Sequence, residues 1–258
     1  MSDAVAIQVN VLWALVLREM KTRFGRRRLG YLWALVGPFA MIAVLMALFS
    51  FIGRLAPAGM DFPVFLITGI VPWFLFNTTT QQAMNAIDGN RRLLVYARVK
   101  PLDLIVARGL LETATYLVVF VLLLALAGAL GYQHLPDRLL PVLATLLGVA
   151  LLGTGLGAAV APLQLVFPGI SNLMPAMKRP LYFISGVFFS IEVVPEPWRG
   201  WLLLNPLLHA NEIMRAGFFA SYDGRHADPA YLFAWIAGSA FTGLLVQRAC
   251  RQWILVTA

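Results

Sequence analysis

Long stretches without a charged side chain dominate this 258-residue sequence. The interval between Arg28 and Arg54 contains 25 uncharged residues. Comparable intervals of 26, 24 and 19 residues begin after Asp61, Glu112 and Asp228. Because an α-helix rises about 1.5 Å per residue, about 20 apolar residues cross the roughly 30 Å of hydrocarbon in a bilayer. The sequence therefore predicts an all-α integral membrane protein.

The composition agrees with that class. Hydrophobic residues make up 60% of the chain and charged residues only 12%, whereas soluble domains average about 45–50% apolar residues. A formal net charge of +8 would suggest a nucleic-acid partner for a soluble protein. Asymmetric membrane loops account for that charge here, so we predict no nucleic-acid binding. A single cysteine, Cys250, excludes an intramolecular disulfide framework.

The uncharged intervals divide the chain into six predicted membrane spans. One interval, from Leu139 to Met177, has 39 uncharged residues and is interrupted by Pro162, Pro168 and Pro175, so we divide it between a fourth and a fifth span. The length leaves no room for a further nucleotide-binding or catalytic domain, and we expect one membrane domain over residues 1–258. The predicted spans cover residues 31–53, 62–87, 113–133, 139–161, 169–191 and 230–247.

The charged residues orient these spans. Loops assigned to the cytoplasm hold 15 of the 20 Lys and Arg residues, and the external loops hold seven of the 12 acidic residues. Short cytoplasmic loops carry the basic excess in membrane proteins. We therefore predict that both termini are cytoplasmic.

Residues 1–30 are predicted to form an interfacial helix before the first span. Apolar residues at helical spacing form one stripe, with basic residues off it. The stripe consists of Trp13, Val16, Leu17, Met20 and Phe24. The basic residues form a cytoplasmic cluster that would meet an anionic substrate first, unless they only orient the chain. The cluster comprises Arg18, Lys21, Arg23, Arg26, Arg27 and Arg28.

The sequence indicates no catalytic, metal or cofactor site in this chain. Its three histidines fall outside the four clearest spans, without an HExxH pattern or clustered carboxylates. Phe183 stands where a serine-hydrolase elbow around Ser185 needs glycine. No Gly-Lys dipeptide occurs, which excludes a Walker A phosphate loop, so any ATP must be bound by a partner. The clearest spans contain no carboxylate, which disfavours a proton-coupled carrier.

Polar and aromatic residues in the spans form the candidate channel lining. Asn77, Gln81 and Asn85 are four apart and share one helix face, as residues lining a wet passage should; the alternative is hydrogen bonding between helices. Aromatic faces offer a surface on which sugars stack, although an interfacial belt or ordinary packing explains any single aromatic residue. The candidate aromatic residues are Tyr31, Trp33, Trp73, Phe76, Tyr182, Phe183 and Phe188. A Gly153-xxx-Gly157 motif in the fourth span is assigned to helix packing.

Two loops carry unusual patterns. Residues 90–101 resemble a short docking helix, because Leu93, Leu94 and Val95 would be exposed on a basic cytoplasmic piece unless a partner covers them; the alternative is a membrane-surface helix. The docking candidates are Arg91, Arg92, Leu93, Leu94, Val95, Tyr96, Lys100 and Pro101. Residues 193–216, on the external side, predict two half-helices that dip into the membrane and break at Asn205-Pro206. Their candidate residues are Trp198, Trp201, Asn205, Pro206 and Arg215.

Five stretches, in order along nearly the whole chain, resemble one family. They are LREMKTRFGRRRLGYLWALVGP (17–38), FPVFLITGIVP (62–72), VKPLDLIVARGLLET (99–113), KRPLYFISGVFFS (178–190) and NPLLHANEIMR (205–215). The sequence is similar to the ABC type-2 exporter permeases, and within them to the KpsM-type permeases of Gram-negative capsule export.

The resemblance implies a non-enzymatic inner-membrane subunit. It implies a homodimer of six-span chains bound to two copies of a separate ATPase, which holds ATP and Mg. Residues 90–101 would be the coupling helix and residues 193–216 the re-entrant helices. The implied substrate is a lipid-linked acidic polysaccharide, passed to a periplasmic co-polymerase and an outer-membrane component. An exporter of O-antigen or teichoic-acid type is the alternative, followed by an exporter of a small lipophilic compound and by a membrane assembly protein without transport.

Overall fold

The computed structural model describes residues 2–24, 30–52, 59–96 and 98–257. Every regular element in these ranges is helical, which confirms the all-α class. Two 3-10 turns lie at Asp88–Leu93 and Ile191–Val193. The α-helices are α1 (Ser2–Phe24), α2 (Gly30–Ile52), α3 (Phe62–Met84), α4 (Pro101–Ala129), α5 (Leu139–Val166), α6 (Ile170–Phe183), α7 (Glu196–Leu202), α8 (Pro206–Phe218), α9 (Pro229–Ala249) and α10 (Arg251–Thr257).

Four of these helices are long and apolar enough to cross a membrane: α3, α4, α5 and α9. They correspond to the second, third, fourth and sixth predicted spans. Helix α2 covers the first predicted span, and its described apolar part is the shorter stretch Ala34–Phe49. The count of six spans stays a prediction.

Helix α3 lies at the centre of the fold, with α2, α4, α5 and α8 packed around it. Its side chains are buried along most of its length, including Val64, Ile70 and Leu75. The buried hydroxyls of Thr79 and Thr80 donate to backbone carbonyls in the preceding turn of the same helix, so these polar groups are satisfied. This helix carries the candidate channel-lining residues Trp73, Phe76, Asn77 and Gln81, and Asn85 caps its end.

Glycines in α5 allow close packing on two sides. A Cβ atom added at Gly157 would lie 2.6 Å from the Thr80 carbonyl oxygen and 2.5 Å from Ala83 Cβ in α3. On the other side, a Cβ atom added at Gly155 would lie 2.7 Å from the backbone of Ser239 in α9. The Gly153-xxx-Gly157 motif therefore packs helices within one chain.

Helix α1 lies across the predicted cytoplasmic ends of the spans. Leu15, which is off the predicted stripe, is its most buried described side chain, whereas Trp13 on the stripe is 63% exposed. Gln8 donates a hydrogen bond to the Asp103 carboxylate at 2.6 Å. The face that packs on the protein is therefore the one through Gln8 and Leu15, and Trp13 lies on the opposite side.

Three segments differ from their predicted boundaries. Helix α6 has 14 residues and ends at Phe183, so residues 169–191 do not form one continuous helix; Gly186 follows in a turn with φ of 73°. Residues 90–93 end a 3-10 turn and residues 94–96 form further turns, so the described residues between 90 and 100 do not form a continuous α-helix. Helix α4 begins at Pro101, well before the predicted residue 113, because Lys100 is extended before proline and its N–H donates to the Asp103 carboxylate at 2.9 Å.

The contact between α5 and α3 generates a stability prediction. Gly157→Val should lower the free energy of unfolding of the detergent-purified protein by about 1–3 kcal/mol, and with it the melting temperature. The reason is that the new side chain overlaps backbone and Cβ atoms of α3. The matched control is Gly238→Val in α9, where an added Cβ meets no atom within 4 Å. Equal melting temperatures for the two variants would contradict the assigned packing.

Candidate functional site

Five of the predicted aromatic residues form one group where α6 packs on α3. The ring centroids of Trp73 and Tyr182 are 4.9 Å apart, and those of Tyr182 and Phe188 are also 4.9 Å apart. Phe76 lies 6.0 Å from Trp73, and Phe183 lies 5.8 Å from Phe188. Trp73 is buried and Phe183 is 63% exposed, so this aromatic cluster extends from the core to the surface.

A strip of polar side chains continues from the aromatic cluster along the same face of α3. Asn77, Gln81 and Asn85 are all half-buried. The Lys178 ammonium donates to the Asn77 carbonyl oxygen at 3.3 Å and to Gln81 Oε1 at 3.4 Å. Gln164 in α5 donates to Asn85 Oδ1 at 3.0 Å. Hydrogen bonding between helices, the alternative interpretation of this strip, therefore does occur.

Lys178 is the residue of this region that sequence reasoning missed. It is only 5% exposed, and among the described residues no carboxylate lies within ion-pair distance of it. Its two acceptors are neutral, so one of its three N–H groups has no partner in the described part of the chain. Lys178 and Tyr182 are four residues apart and therefore lie on the same face of a helix. This spacing is the sequence signal that could have linked Lys178 to the aromatic cluster.

The basic cluster of the N-terminal segment is only partly visible. Arg26, Arg27 and Arg28 lie outside the described residues, and the side chains of Arg23, Tyr31 and Trp33 are likewise not described. Lys21 is exposed.

Arg18 connects α1 to the loop after α3. Its guanidinium donates to Asn90 Oδ1 at 2.8 Å. Asn90 in turn donates to the Glu19 carboxylate at 2.8 Å, which also binds Arg108 at 3.2 Å. These contacts give Arg18 a structural role, and they attach α1 to residues 88–100, which we name the docking segment.

Of the three apolar residues that were predicted to be exposed in the docking segment, only Val95 is exposed, and Tyr96 is exposed beside it. Leu93 and Leu94 pack against the buried cluster beneath α1, so the expectation that both would be exposed is wrong. Val95 and Tyr96 are 85% and 65% exposed. Arg92 and Lys100 are exposed, Pro101 is buried, and Arg91 forms an ion pair with Asp88 at 2.9 Å.

On the predicted external side, α7 and α8 are separate helices that break at the predicted position. The Asn205 side chain caps α8 by accepting from the Leu207 N–H at 3.0 Å, and Pro206 occupies the first helical position. Trp198 and Trp201 are 65% and 72% exposed. Insertion of these helices into the membrane stays a prediction.

Helix α8 supplies hydrogen bonds to the irregular backbone that follows α6. Asn205 donates to the Ile184 carbonyl at 3.2 Å, and Asn211 donates to the Ser185 carbonyl at 2.7 Å. Arg215 donates to the carbonyls of Val187 and Phe189 at 3.2 and 2.9 Å. The backbone carbonyls after α6 lie outside a regular helix, and side chains of α8 and its N-cap supply the hydrogen bonds that they need.

Arg215 is fully buried and its charge is compensated locally. Its guanidinium carbon lies 3.8 Å from the centre of the Phe65 ring, and Glu212 lies 3.5 Å away. Burial lowers the pKa of Arg215 to about 10, which keeps it charged at neutral pH, although Glu212 opposes that shift. Burial raises the pKa of the Glu212 carboxyl, and Arg215 opposes that rise. Tyr222 donates to the second Glu212 oxygen.

This buried pair generates a second stability prediction. Arg215→Met should destabilise the protein by about 3–5 kcal/mol, because it leaves the Glu212 carboxylate buried without its cation. The control is Arg225→Met, which removes an exposed partner of Glu192 and should change the melting temperature little.

A double variant tests the cause of that loss. Glu212→Gln combined with Arg215→Met should recover part of the stability, because no uncompensated charge remains buried. Additive losses in thermal unfolding would contradict the pairing.

The similarity to known proteins agrees with this architecture. Residues 10–219 match the family model described as ABC-2 type transporter. The chain is 34% identical over 251 residues to the polysialic acid transport protein KpsM of Escherichia coli, with 97% of each chain covered. It is 28% identical over 230 residues to the capsule polysaccharide export inner-membrane protein CtrC of Neisseria meningitidis serogroup B, covering 89% of this chain and 87% of that one. It is also 28% identical over 217 residues to BexB of Haemophilus influenzae, covering 84% and 82%.

These matches confirm the resemblance to ABC type-2 permeases and to their KpsM-type branch. The family match extends over far more than half of the chain and includes α3, α6 and α8, which carry the aromatic cluster and the Arg215 contacts. The chain therefore belongs to the ABC-2 type transporter membrane family.

Proposed function

We propose that this chain is the membrane-spanning subunit of an ATP-driven exporter of lipid-linked capsular polysaccharide. It would move the polymer from the cytoplasm to the periplasm across the inner membrane of a Gram-negative bacterium. The observation that carries the proposal is the match to the polysialic acid transport protein over 97% of both chains. Two relatives whose names specify capsule polysaccharide export support the same substrate class.

A partner subunit would bind and hydrolyse the ATP. The sequence has no Walker A loop, so we propose that two copies of a separate ATPase bind ATP and Mg and that two copies of this chain form the membrane dimer. The exposed Val95 and Tyr96 of the docking segment form the apolar surface that such a partner would cover. Both termini would lie on the same cytoplasmic side.

The docking segment is well placed to transmit movement. It joins the end of α3 at Met84 to the start of α4 at Pro101, and it is held to α1 through Asn90. Displacement of this segment by closure of the ATPase dimer would therefore move α3 and α4 together. Because α3 carries Trp73 and Phe76 of the aromatic cluster together with most of the polar strip, such movement would reach the proposed polymer path directly.

The proposed path follows the aromatic cluster and the polar strip. Sugar rings would stack on the exposed aromatic faces, and their hydroxyl groups would exchange hydrogen bonds with Asn77 and Gln81. Lys178 would offer its free N–H to a carboxylate or phosphate of the substrate. Repeated weak contacts of this kind suit a polymer that must keep moving.

Once it has crossed the inner membrane, the polymer would pass to a periplasmic co-polymerase and an outer-membrane component. The exposed Trp198 and Trp201 lie on the predicted external helices, where the polymer would leave the chain. Aromatic side chains at that level also suit the membrane interface.

Deletion of the gene in its host tests the function. We expect acidic capsule polymer to accumulate in the cytoplasm, detected by staining and by analysis of the lipid at its reducing end, and we expect the intact gene to restore surface capsule. A normal surface capsule with retained O-antigen would instead assign the alternative substrate. Normal display of every surface glycan would overturn an export function.

A variant of Lys178 tests the proposed path separately. Lys178→Met should lower capsule export per cell about tenfold, because it removes the charge-assisted hydrogen bond to the acidic polymer. The melting temperature should stay equal or rise, because a buried cation without a carboxylate partner is costly and Met has similar length. The control is Arg179→Met, an exposed neighbour on the same helix.

The two measurements together separate transport from folding. Loss of export with unchanged stability and unchanged membrane abundance is the expected result. Wild-type export by the Lys178 variant at equal abundance would remove Lys178 from the path.

A further inference from the structure

A basic cavity lies at the predicted cytoplasmic ends of α4, α9 and α10, away from the proposed polymer path. Its volume is about 460 Å³, within the range of ligand-binding pockets. Three cationic side chains line it, one from the residue before α4 and two from the end of α9 and the start of α10. The lining residues are Lys100, Pro101, Leu102, Leu244, Gln247, Arg248 and Arg251.

In the part of the chain that the structure describes, no carboxylate neutralises the three cations. Among the described residues, none of Lys100, Arg248 and Arg251 lies within ion-pair distance of an acidic side chain. The nearest carboxylate along the chain, Asp103, does not line the cavity, and it accepts hydrogen bonds from Gln8 and from the Lys100 backbone. The cavity therefore carries uncompensated positive charge and favours an anion.

The remaining lining indicates what kind of anion. Leu102, Leu244 and Pro101 supply apolar surface beside the cations. Leu244 is 52% exposed on α9, a helix that is apolar, of membrane-spanning length and mostly unburied within the chain. The cations thus begin where the apolar surface of α9 ends, which is the level of lipid headgroups.

A buried polar atom adds a second feature. Gln247 is 6% exposed, and its side-chain N–H donates to the Ala158 carbonyl at 2.8 Å, which fixes the orientation of the amide. Its Oε1 has no hydrogen-bond partner in the described part of the chain.

We propose that this cavity binds the phosphate of an anionic phospholipid from the cytoplasmic leaflet. The phosphodiester would contact Lys100, Arg248 and Arg251, and the start of the acyl chains would follow Leu244. Basic pockets between membrane helices on the cytoplasmic side bind anionic headgroups by the same chemistry. The bound lipid would connect the start of α4 to the corner between α9 and α10, and so hold the end of the docking segment at the membrane surface.

The test uses the full chain in lipid nanodiscs followed by native mass spectrometry. Wild-type protein should retain phosphatidylglycerol from a mixture with phosphatidylcholine. Arg248→Gln with Arg251→Gln should weaken that retention about thirtyfold. Each basic residue near a membrane surface contributes about 1 kcal/mol of binding free energy, and the loss of two such contributions corresponds to about thirtyfold in affinity. The matched control is Arg98→Gln with Arg179→Gln, which removes two exposed cations on the same predicted side and outside the cavity.

A second variant keeps the charges and fills the space. Leu244→Trp should also reduce phosphatidylglycerol retention, because it occupies the cavity without changing the charge. Leu244 is exposed, so the substitution leaves the buried core unchanged. This variant keeps the proposal testable if the double arginine variant fails to fold.

Three results would overturn the proposal. Equal lipid retention by the cavity and control double variants would show general surface attraction. Displacement of the lipid by millimolar inorganic phosphate, with equal thermal stabilisation by phosphate alone, would assign the cavity to a free anion. Unchanged lipid retention combined with loss of ATPase co-purification would assign these arginines to a protein contact.

Discussion

The proposed external half of this protein depends on the hydrogen bonds that Arg215 donates to backbone carbonyls outside the helices. A chain beside lipid can leave helical geometry only where other groups bind the freed carbonyls. Arg215 does this for Val187 and Phe189 while its charge is balanced by Glu212 and its plane lies over Phe65. Gly69 in α3 leaves the space, since a Cβ there would lie 2.9 Å from the Arg215 guanidinium. Removing either Arg215 or Glu212 leaves the other buried without its ion-pair partner.

That anchoring determines where the aromatic cluster lies. Helix α6 ends at Phe183, and the turn through Gly186 brings Phe188 back to within 4.9 Å of Tyr182. A continuous helix over the same residues would have carried Phe188 one and a half turns further along the axis. The same turn brings the residues after α6 beneath α8, whose Asn205 and Asn211 bind their carbonyls. The fold therefore builds its aromatic face from a break in a helix.

The opposite end of the molecule is organised by hydrogen bonds among α1, the docking segment and α4. Glu19 binds both Asn90 and Arg108, so hydrogen bonds join α1, the docking segment and the first turns of α4. The proposed lipid site lies against the same region through Lys100. The proposed ATPase partner, in contact with Val95 and Tyr96, would therefore push on a segment that hydrogen bonds attach to α1.

The long apolar helices of this protein were predictable from sequence, because the thickness of hydrocarbon demands uncharged stretches. Their orientation, which rests on the positive-inside rule, stays a prediction. The helices that match the second and fourth spans, the break at Asn205-Pro206 and the common face of Asn77, Gln81 and Asn85 all follow from local spacing. Local spacing did not predict the packing of Leu93 and Leu94, the carbonyl contacts of Arg215, or the burial of Lys178 without a described carboxylate partner. Each depends on how far one helix is rotated against another, and on residues about 20 to 100 positions away in the chain. Helical periodicity determined which residues share a face, and only tertiary packing decided what each face meets.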